Sequence, residues 1–362
     1  MTLLQGTHPT RRHVLAGAAA IAALGPLVRP ARAKTLKVLR FGIGLKAMSS
    51  ITINTVIGEV LGYNRAEGFT LKPLALGTNA NVQVALDRSD IEIGIGVPSF
   101  FVPLLAKGEW KSDVNFYEYT YPYKWDVAVL PGSPIKNYQD LKGKRVGVSG
   151  FGSTEYPVTK AVLKGLGIDP TKDVHWIAVG EGVAAGVALK RGAIDALAYY
   201  DVGFGEIEGA GIKLDFLPRP ANLPMVGGQF LMTRRAVLAS DRALVVGFGR
   251  SVCKASQFIL ANPKAGARAF LKMYPAAAPR GSTTEHAVAV IAQAIGRRIR
   301  LYRPPYPGVK MGSINPAEFV AEAKLDGVKV GNVHPLYTNA LIDEINDFDA
   351  KAIAAEAAAY PT

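Results

Sequence analysis

Cysteine is nearly absent, with Cys253 the single example in 362 residues. One thiol excludes an intramolecular disulfide and any zinc site built on several cysteines. Cys253 lies between Val252 and Lys254 in a stretch of helical period and reads as plain core. Histidine is scarce too: His8, His13, His175, His286 and His334 are isolated, with no metal-ligand spacing and no H-E-x-x-H helix among them. A G-x-S-x-G nucleophile turn is also missing. These absences remove the commoner hydrolytic and metal-dependent chemistries. The sequence therefore predicts no catalytic residue, no metal and no cofactor, and a protein that is not an enzyme.

Acidic residues are in deficit, 29 against 42 lysines and arginines, which gives a formal charge of +13. The basic residues are scattered, however, and no stretch interleaves them with aromatics as a single-strand groove would. The charge predicts attraction to anionic solutes or to a membrane surface and no nucleic-acid partner. With 49% hydrophobic and 20% charged residues the chain is of ordinary globular composition and long enough for two cores.

Long apolar runs are lacking as well, and the N-terminus shows what replaces them. Arg11-Arg12 is followed by an apolar run from Val14 to about Val28, broken by Gly17, Gly25 and Pro26, and then by Ala31-Arg32-Ala33. The run is shorter than the roughly twenty residues a bilayer needs. The pattern resembles a twin-arginine export signal, cleaved after Ala33, so residues 1–33 are set apart from the fold and Lys34 is the expected mature start. Arg11, Arg12, Arg29 and Arg32 lie in that segment, which has no acidic residue, so the remainder carries +9.

From Lys37 onward, short apolar runs bounded by glycine alternate with helical-period segments, the signature of βαβ units. Strands are expected at Lys37–Gly44, Thr70–Leu76 and Ile91–Ile95, with helices over Ile51–Tyr63, Asn79–Leu86 and from Pro98. A second block repeats the pattern: strands Lys144–Ser149, Val174–Ala178 and Ala196–Tyr200, helices Thr154–Leu166, Gly182–Lys190 and Val202–Gly209, then an extended Lys213–Leu217. Tyrosine-rich Asn115–Lys124 leads into Trp125-Asp126 and a strand Val127–Leu130, where the chain is expected to cross between lobes. Gln229–Thr233 is the expected return. Beyond it helices are predicted at Asp241–Leu260, Lys264–Met273, Thr284–Arg298, Pro316–Lys324 and Leu336–Asp347, and the alanine-rich tail Asp349–Ala358 reads as a final helix or a frayed end. The expected fold is α/β, two Rossmann-like lobes joined by two hinge crossings, with a helical C-terminal wrap. The divisions are 34–124 for the first part of lobe 1, 125–224 for lobe 2 and 225–362 for the return to lobe 1 and the C-terminal helices.

In open parallel sheets ligands bind beyond the carboxyl ends of the strands. Those ends carry Met48-Ser49-Ser50, Gly77-Thr78-Asn79 and Gly96-Val97-Pro98-Ser99 in the first block, and Gly150-Phe151-Gly152-Ser153-Thr154 in the second. The last puts two hydroxyls and a helix N-terminus at one point, an anion seat, although Ser153 or Thr154 also suits a simple helix cap. Glu181 and Asp201 stand at two further strand ends of the same edge, where either would hold an ammonium or amidine group or serve as a surface cap. Trp125 offers a flat stacking surface or plain packing at the crossing. Gly42-Ile43-Gly44-Leu45-Lys46-Ala47 matches a dinucleotide fingerprint, but the next strand, Thr70-Leu71-Lys72-Pro73-Leu74, ends in no acidic residue to take a ribose hydroxyl.

The run Tyr138-Gln139-Asp140-Leu141-Lys142-Gly143-Lys144-Arg145-Val146-Gly147-Val148-Ser149 resembles the "DLKGKrVgv" stretch of ABC-importer substrate-binding proteins. Gly165-Leu166-Gly167-Ile168-Asp169-Pro170 follows it, and Leu189-Lys190-Arg191-Gly192-Ala193-Ile194-Asp195-Ala196 is similar to the family's "aL..G.iDa" turn, with Val84-Ala85-Leu86-Asp87-Arg88-Ser89-Asp90-Ile91 as its counterpart in the first block. The resemblance is to the taurine, alkanesulfonate and NMT1/THI5-like group of the type II periplasmic binding fold, over about Lys37 to Pro275. It implies a periplasmic, monomeric protein that passes a small organic solute, sulfonate- or carboxylate-like, to a permease and its ATPase in the inner membrane after export by the Tat machinery. The ligand-binding positions it implies are Ser49, Ser50, Thr78, Asn79, Ser99, Ser153, Thr154 and Asp201, to which the residues themselves add Gly152, Trp125 and Tyr200. Two other roles fit the same resemblance, a sensory ligand-binding protein and a pyrimidine-related enzyme of the THI5-like branch. The segment from Gly281 onward, with Arg303-Pro304-Pro305-Tyr306-Pro307, has no counterpart in it.

Overall fold

The computed structural model describes residues 36–110 and 112–361. The export signal and its cleavage site lie outside the described residues. Among the described residues, ten strands form two five-stranded sheets: β1 (Lys37–Ile43), β2 (Phe69–Ala75), β3 (Ile93–Gly96), β4 (Asp113–Thr120), β5 (Trp125–Val129), β6 (Arg145–Val148), β7 (His175–Ala178), β8 (Ala196–Tyr200), β9 (Asp215–Phe216) and β10 (Gln229–Arg234). Their orders are β2-β1-β3-β10-β4 and β7-β6-β8-β5-β9. The two sheets obey one rule. Three strands run parallel, and a strand arriving from the other lobe inserts antiparallel beside them: β10 pairs with β3 and β4, and β5 pairs with β8 and β9. The chain thus passes from lobe 1 to lobe 2 between β4 and β5, and back between β9 and β10.

The helices that position the cleft are α1 (Asn79–Asp87), α2 (Pro98–Ala106), α3 (Glu155–Gly165), α4 (Val183–Lys190), α5 (Asp201–Gly209), α6 (Arg242–Ala261), α7 (Pro263–Met273), α8 (Thr284–Ile295) and α9 (Ala317–Leu325). Long, apolar α6 has the length and hydropathy of a membrane span, yet it is the core helix of lobe 1. Phe248 sits with its ring centroid 5.0 Å from that of Phe41 and 6.2 Å from that of Phe69, which joins α6 to β1 and β2. Burial of such aromatic side chains is the main stabilising term for the lobe. In lobe 2 one apolar cluster on Val146, Val148, Val162 and Leu163 and another on Leu189, Leu197, Phe204 and Ile207 cover opposite faces of the sheet.

The C-terminal segment does more than wrap. Helix α8 lies against both α5 of lobe 2 and α7 of lobe 1, and α9 touches both α2 and α3. The α5–α8 approach is so close that a Cβ on Gly205 would come within 2.3 Å of the Ala294 carbonyl oxygen.

Several expectations need correction. The helix expected over Ile51–Tyr63 is divided into a 3-10 turn at Ser50–Thr52 and short helices at Ile53–Val56 and Tyr63–Ala66. Gly62, at φ 79°, takes the left-handed conformation that stops a helix. The tyrosine-rich segment Asn115–Lys124 begins inside β4, whose eight residues are all buried, and the crossing falls in the short stretch between β4 and β5. Leu336–Asp347 is not one helix but a 3-10 turn at His334–Leu336 and a short helix Ile342–Ile345. The alanine-rich tail is helical over Ala350–Ala359, with the Asp349 carboxylate accepting from the Lys351 and Ala352 amides.

Candidate functional site

The strand ends of the two lobes face one cavity of ≈ 370 Å³. Lobe 1 contributes Gly44, Leu45, Ser49 and Ile51 from the turn after β1, and Asn79 from the start of α1. Lobe 2 contributes Ser149, Gly152, Ser153, Thr154 and Glu155 after β6, Glu181 after β7, and Tyr200, Val202 and Glu206 around the start of α5. Lys124 and Trp125 enter from the crossing into β5, and Arg298 from the turn after α8. Wider grooves of ≈ 720 and ≈ 750 Å³ lie beside Lys160 and Lys164 and beside Asn262 and Gln293, away from the strand ends.

Of the residues singled out from sequence, Ser49, Asn79, Trp125, Gly152, Ser153, Thr154 and Tyr200 line this cavity together. Ser50, Thr78 and Ser99 do not. Ser50 is buried in the 3-10 turn, Thr78 spends its hydroxyl capping α1 by accepting from the Asn81 amide at 3.2 Å, and Ser99 sits in the first turn of α2 outside the lining.

Asp201 is the clear correction. Its carboxylate is 0% exposed and accepts from Arg298 Nε and Nη2, both at 2.6 Å. A third bond, from the Val202 amide at 2.8 Å, fills the group. Sequence placed Asp201 correctly at the strand end but could not show that a cation 97 residues away had claimed it.

The start of α3 differs from expectation in kind. Neither Ser153 nor Thr154 caps the helix: the Thr154 side chain makes no cap bond, and the Ser153 hydroxyl lies 2.7 Å from that of Ser149. Instead the Glu155 carboxylate turns back, accepting from the Ser149 amide at 3.0 Å and from the Ser149 hydroxyl. The chain's own anion therefore occupies much of the seat that the helix dipole offers. Burial pushes Glu155 above the usual carboxylate value, against the pull of those hydrogen bonds.

Two aromatic walls and a lysine complete the cavity. Trp125 is held edge-on against Tyr123, centroids 5.2 Å apart, and Gly227 at φ 90° admits it, since a Cβ there would stand 2.1 Å from the indole ring. Tyr200 leans on Tyr199 with centroids 4.5 Å apart, and burial raises its hydroxyl pKa far above the ordinary value. Lys124 lays its Nζ 5.0 Å over the Trp125 ring. Burial first, and the neighbouring Arg298 second, pull its pKa down to about 7. Sequence reasoning passed over Lys124, although it immediately precedes the tryptophan at the expected crossing.

The fold defines the class: two α/β lobes with crossed-over antiparallel strands are the type II periplasmic binding architecture. Residues 118–266 match the family model described as NMT1/THI5 like. No curated protein sequence matches this chain. Among solved structures, the periplasmic aliphatic sulphonate binding protein SsuA from Escherichia coli is similar at 21% identity and TM-score 0.59, over 80% of this chain and 86% of that one. A zinc-bound ligand-binding component of an ABC-type import system from Staphylococcus aureus is similar at 13% identity and TM-score 0.60, over 86% and 100%. The desulfurization enzyme DSZB shares the fold at 14% identity and TM-score 0.52, over 85% and 98%. Likeness at these identities extends to the fold.

Proposed function

We propose that this protein is the solute-binding component of an ABC-type importer, acting in the periplasm after export and closing its lobes around a small organic solute with an anionic, sulfonate- or carboxylate-like end. One observation carries the reading: a single ≈ 370 Å³ cavity is lined from both lobes and from a crossing between them, at the strand ends where open α/β sheets bind ligands. The similar folds of a sulphonate-binding protein and an import component support it. The solute's body rests against Trp125 and Tyr200, and its polar atoms meet Ser49, Asn79, Ser153 and Thr154. Closure removes water and strengthens each of those hydrogen bonds. Partners are a permease with its ATPase, reached by the liganded monomer. In this reading the cavity holds the solute and leaves it unchanged, with Arg298 and Glu155 each held by partners within the chain.

A thermal-shift screen of the chain from Lys34 against sulfonates, carboxylates, pyrimidines and amines tests this reading, because a ligand that binds only the native state raises the melting point. The expected result is a shift with one anionic class, lost in a Ser153→Ala/Thr154→Ala double variant. No shift with any class, from protein shown by mass spectrometry to carry no bound solute, overturns it.

A further inference from the structure

We propose that Lys124 receives the anionic end of the solute, and that it takes up a proton from solvent as the solute binds. This rests on the solute-clamp reading and names the group within it that does the recognition.

Arg298 spends two of its nitrogens on Asp201 and a third on the Gln229 side chain, at 3.2 Å. Glu155 is tied to Ser149. Lys124 differs: among the described residues its Nζ makes no hydrogen bond and has no carboxylate within 4.0 Å. It stands instead over the Trp125 face on the cavity wall. A buried ammonium without a partner is costly, and the cavity that Lys124 lines gives a solute's anionic end access to it.

The charged groups facing Lys124 come from four elements. Arg298, after α8, repels its proton, while Asp201 on α5, Glu322 on α9 and Glu155 on α3 attract it. Two of those three carboxylates are already engaged, so burial and Arg298 prevail and the amine sits near half-protonation at neutral pH. A sulfonate or carboxylate placed against Nζ supplies the missing negative charge, raises the amine's proton affinity and draws one proton from solvent. No covalent bond forms or breaks. The anion's affinity then falls roughly tenfold per pH unit once Lys124 is neutral.

The test is 13C NMR of lysine-labelled protein, with the Lys124 Cε signal assigned by its loss in Lys124→Arg. The probe is methanesulfonate, at an ionic strength held constant with sodium chloride. The expected result is a Lys124 signal that titrates near neutrality, apart from the surface lysines, with a midpoint that moves upward as methanesulfonate is added. A midpoint that methanesulfonate leaves in place, or that coincides with the surface lysines, overturns the proposal. In thermal shift with the same probe, Lys124→Arg keeps its stabilisation at alkaline pH, where the wild type loses it, and Lys124→Met shows none at any pH. Panel solutes that raise the melting point while the midpoint stays fixed would leave the clamp standing and remove Lys124 from it. A moving midpoint with no stabilising panel solute would remove the importer reading and leave an anion site.

Discussion

Arg298 and Asp201 form a fully buried, two-bonded ion pair that fastens the turn after α8 to the first residue of α5, directly beneath the solute cavity. Arg298 comes from the C-terminal segment and Asp201 from lobe 2, so the pair fixes one wall of the cavity to a part of the chain that sequence comparison leaves without a counterpart.

Asp201→Asn leaves a buried guanidinium short of its charge partner. Breaking one side of such a pair costs about 3–5 kcal/mol, which urea denaturation will show as a lowered midpoint. The joint change Asp201→Leu with Arg298→Met is expected to recover much of that loss, since replacing both charges by apolar groups of similar volume is often neutral. A single variant with wild-type stability but lost solute affinity would return Asp201 to the role sequence assigned it.

Trp125 and Gly227 are a second coupled pair. A methyl group at Gly227 collides with the indole and forces residue 227 to hold φ 90° with a side chain. Gly227→Ala should therefore displace Trp125, quench or shift its fluorescence and weaken solute binding, although residue 227 is absent from the cavity wall. Trp125→Ala, a large-to-small change at 2% exposure, should cost about 3–5 kcal/mol of stability as well as affinity. Equal solute affinity in Gly227→Ala and wild type would show that the indole's position does not matter to the ligand.

Sequence carried most of the sheet and about half of the cleft, for a physical reason. The parallel strands are apolar runs bounded by glycine, and small polar residues must follow them, so Ser49, Asn79 and Ser153 were legible from local pattern alone. β4 was harder to see because Asp113, Asn115, Glu118 and Thr120 are buried within it, so the usual alternation of polar and apolar positions says nothing about which face is covered. Asp201 and Lys124 failed in opposite ways. One had a distant partner and the other had none, and long-range pairing leaves no periodic trace in a sequence.

Ser153 and Thr154 yield a narrower prediction. Their hydroxyls make no helix cap, and Ser153 has only the Ser149 hydroxyl as a side-chain partner. Thr154→Ala should thus leave the melting point of the empty protein nearly unchanged while weakening solute binding by about 1 kcal/mol, the ordinary worth of one hydrogen bond. Isothermal titration with whichever solute stabilises the protein separates the two effects. A drop in the melting point of the empty protein, at unchanged affinity, would make Thr154 a structural residue after all.

The pH dependence of stability follows from three carboxyl groups beneath the crossing. Glu118 on β4 meets Glu318 on α9, and both approach Gly228 so closely that a Cβ there would stand 2.5 and 2.8 Å from their oxygens. As two carboxylates they have no donor between them, and their oxygens are indeed unpartnered. A single proton shared between them would supply the bond. Burial and mutual repulsion accordingly hold Glu118 well above the usual value, while burial places Glu318 at about 8 and Glu322 at about 7. The folded chain keeps protons here that the unfolded chain releases near the ordinary 4.5. Stability should thus fall as pH rises from about 4.5 through about 8. Lys124 acts in the other sense, since its folded pKa of about 7 lies below the unfolded 10.5, and its contribution rises between those two values, overlapping only the top of that window. Glu318→Gln replaces the shared proton by a permanent amide donor. It is expected to matter little at pH 5 and to stabilise the protein at pH 8 by roughly 1–3 kcal/mol, flattening the alkaline side of a plot of urea midpoint against pH. If the variant and wild type run parallel from pH 5 to 8, the two glutamates are not sharing a proton, and α9 must be held against the sheet by apolar packing such as Phe230 of β10 against Phe319.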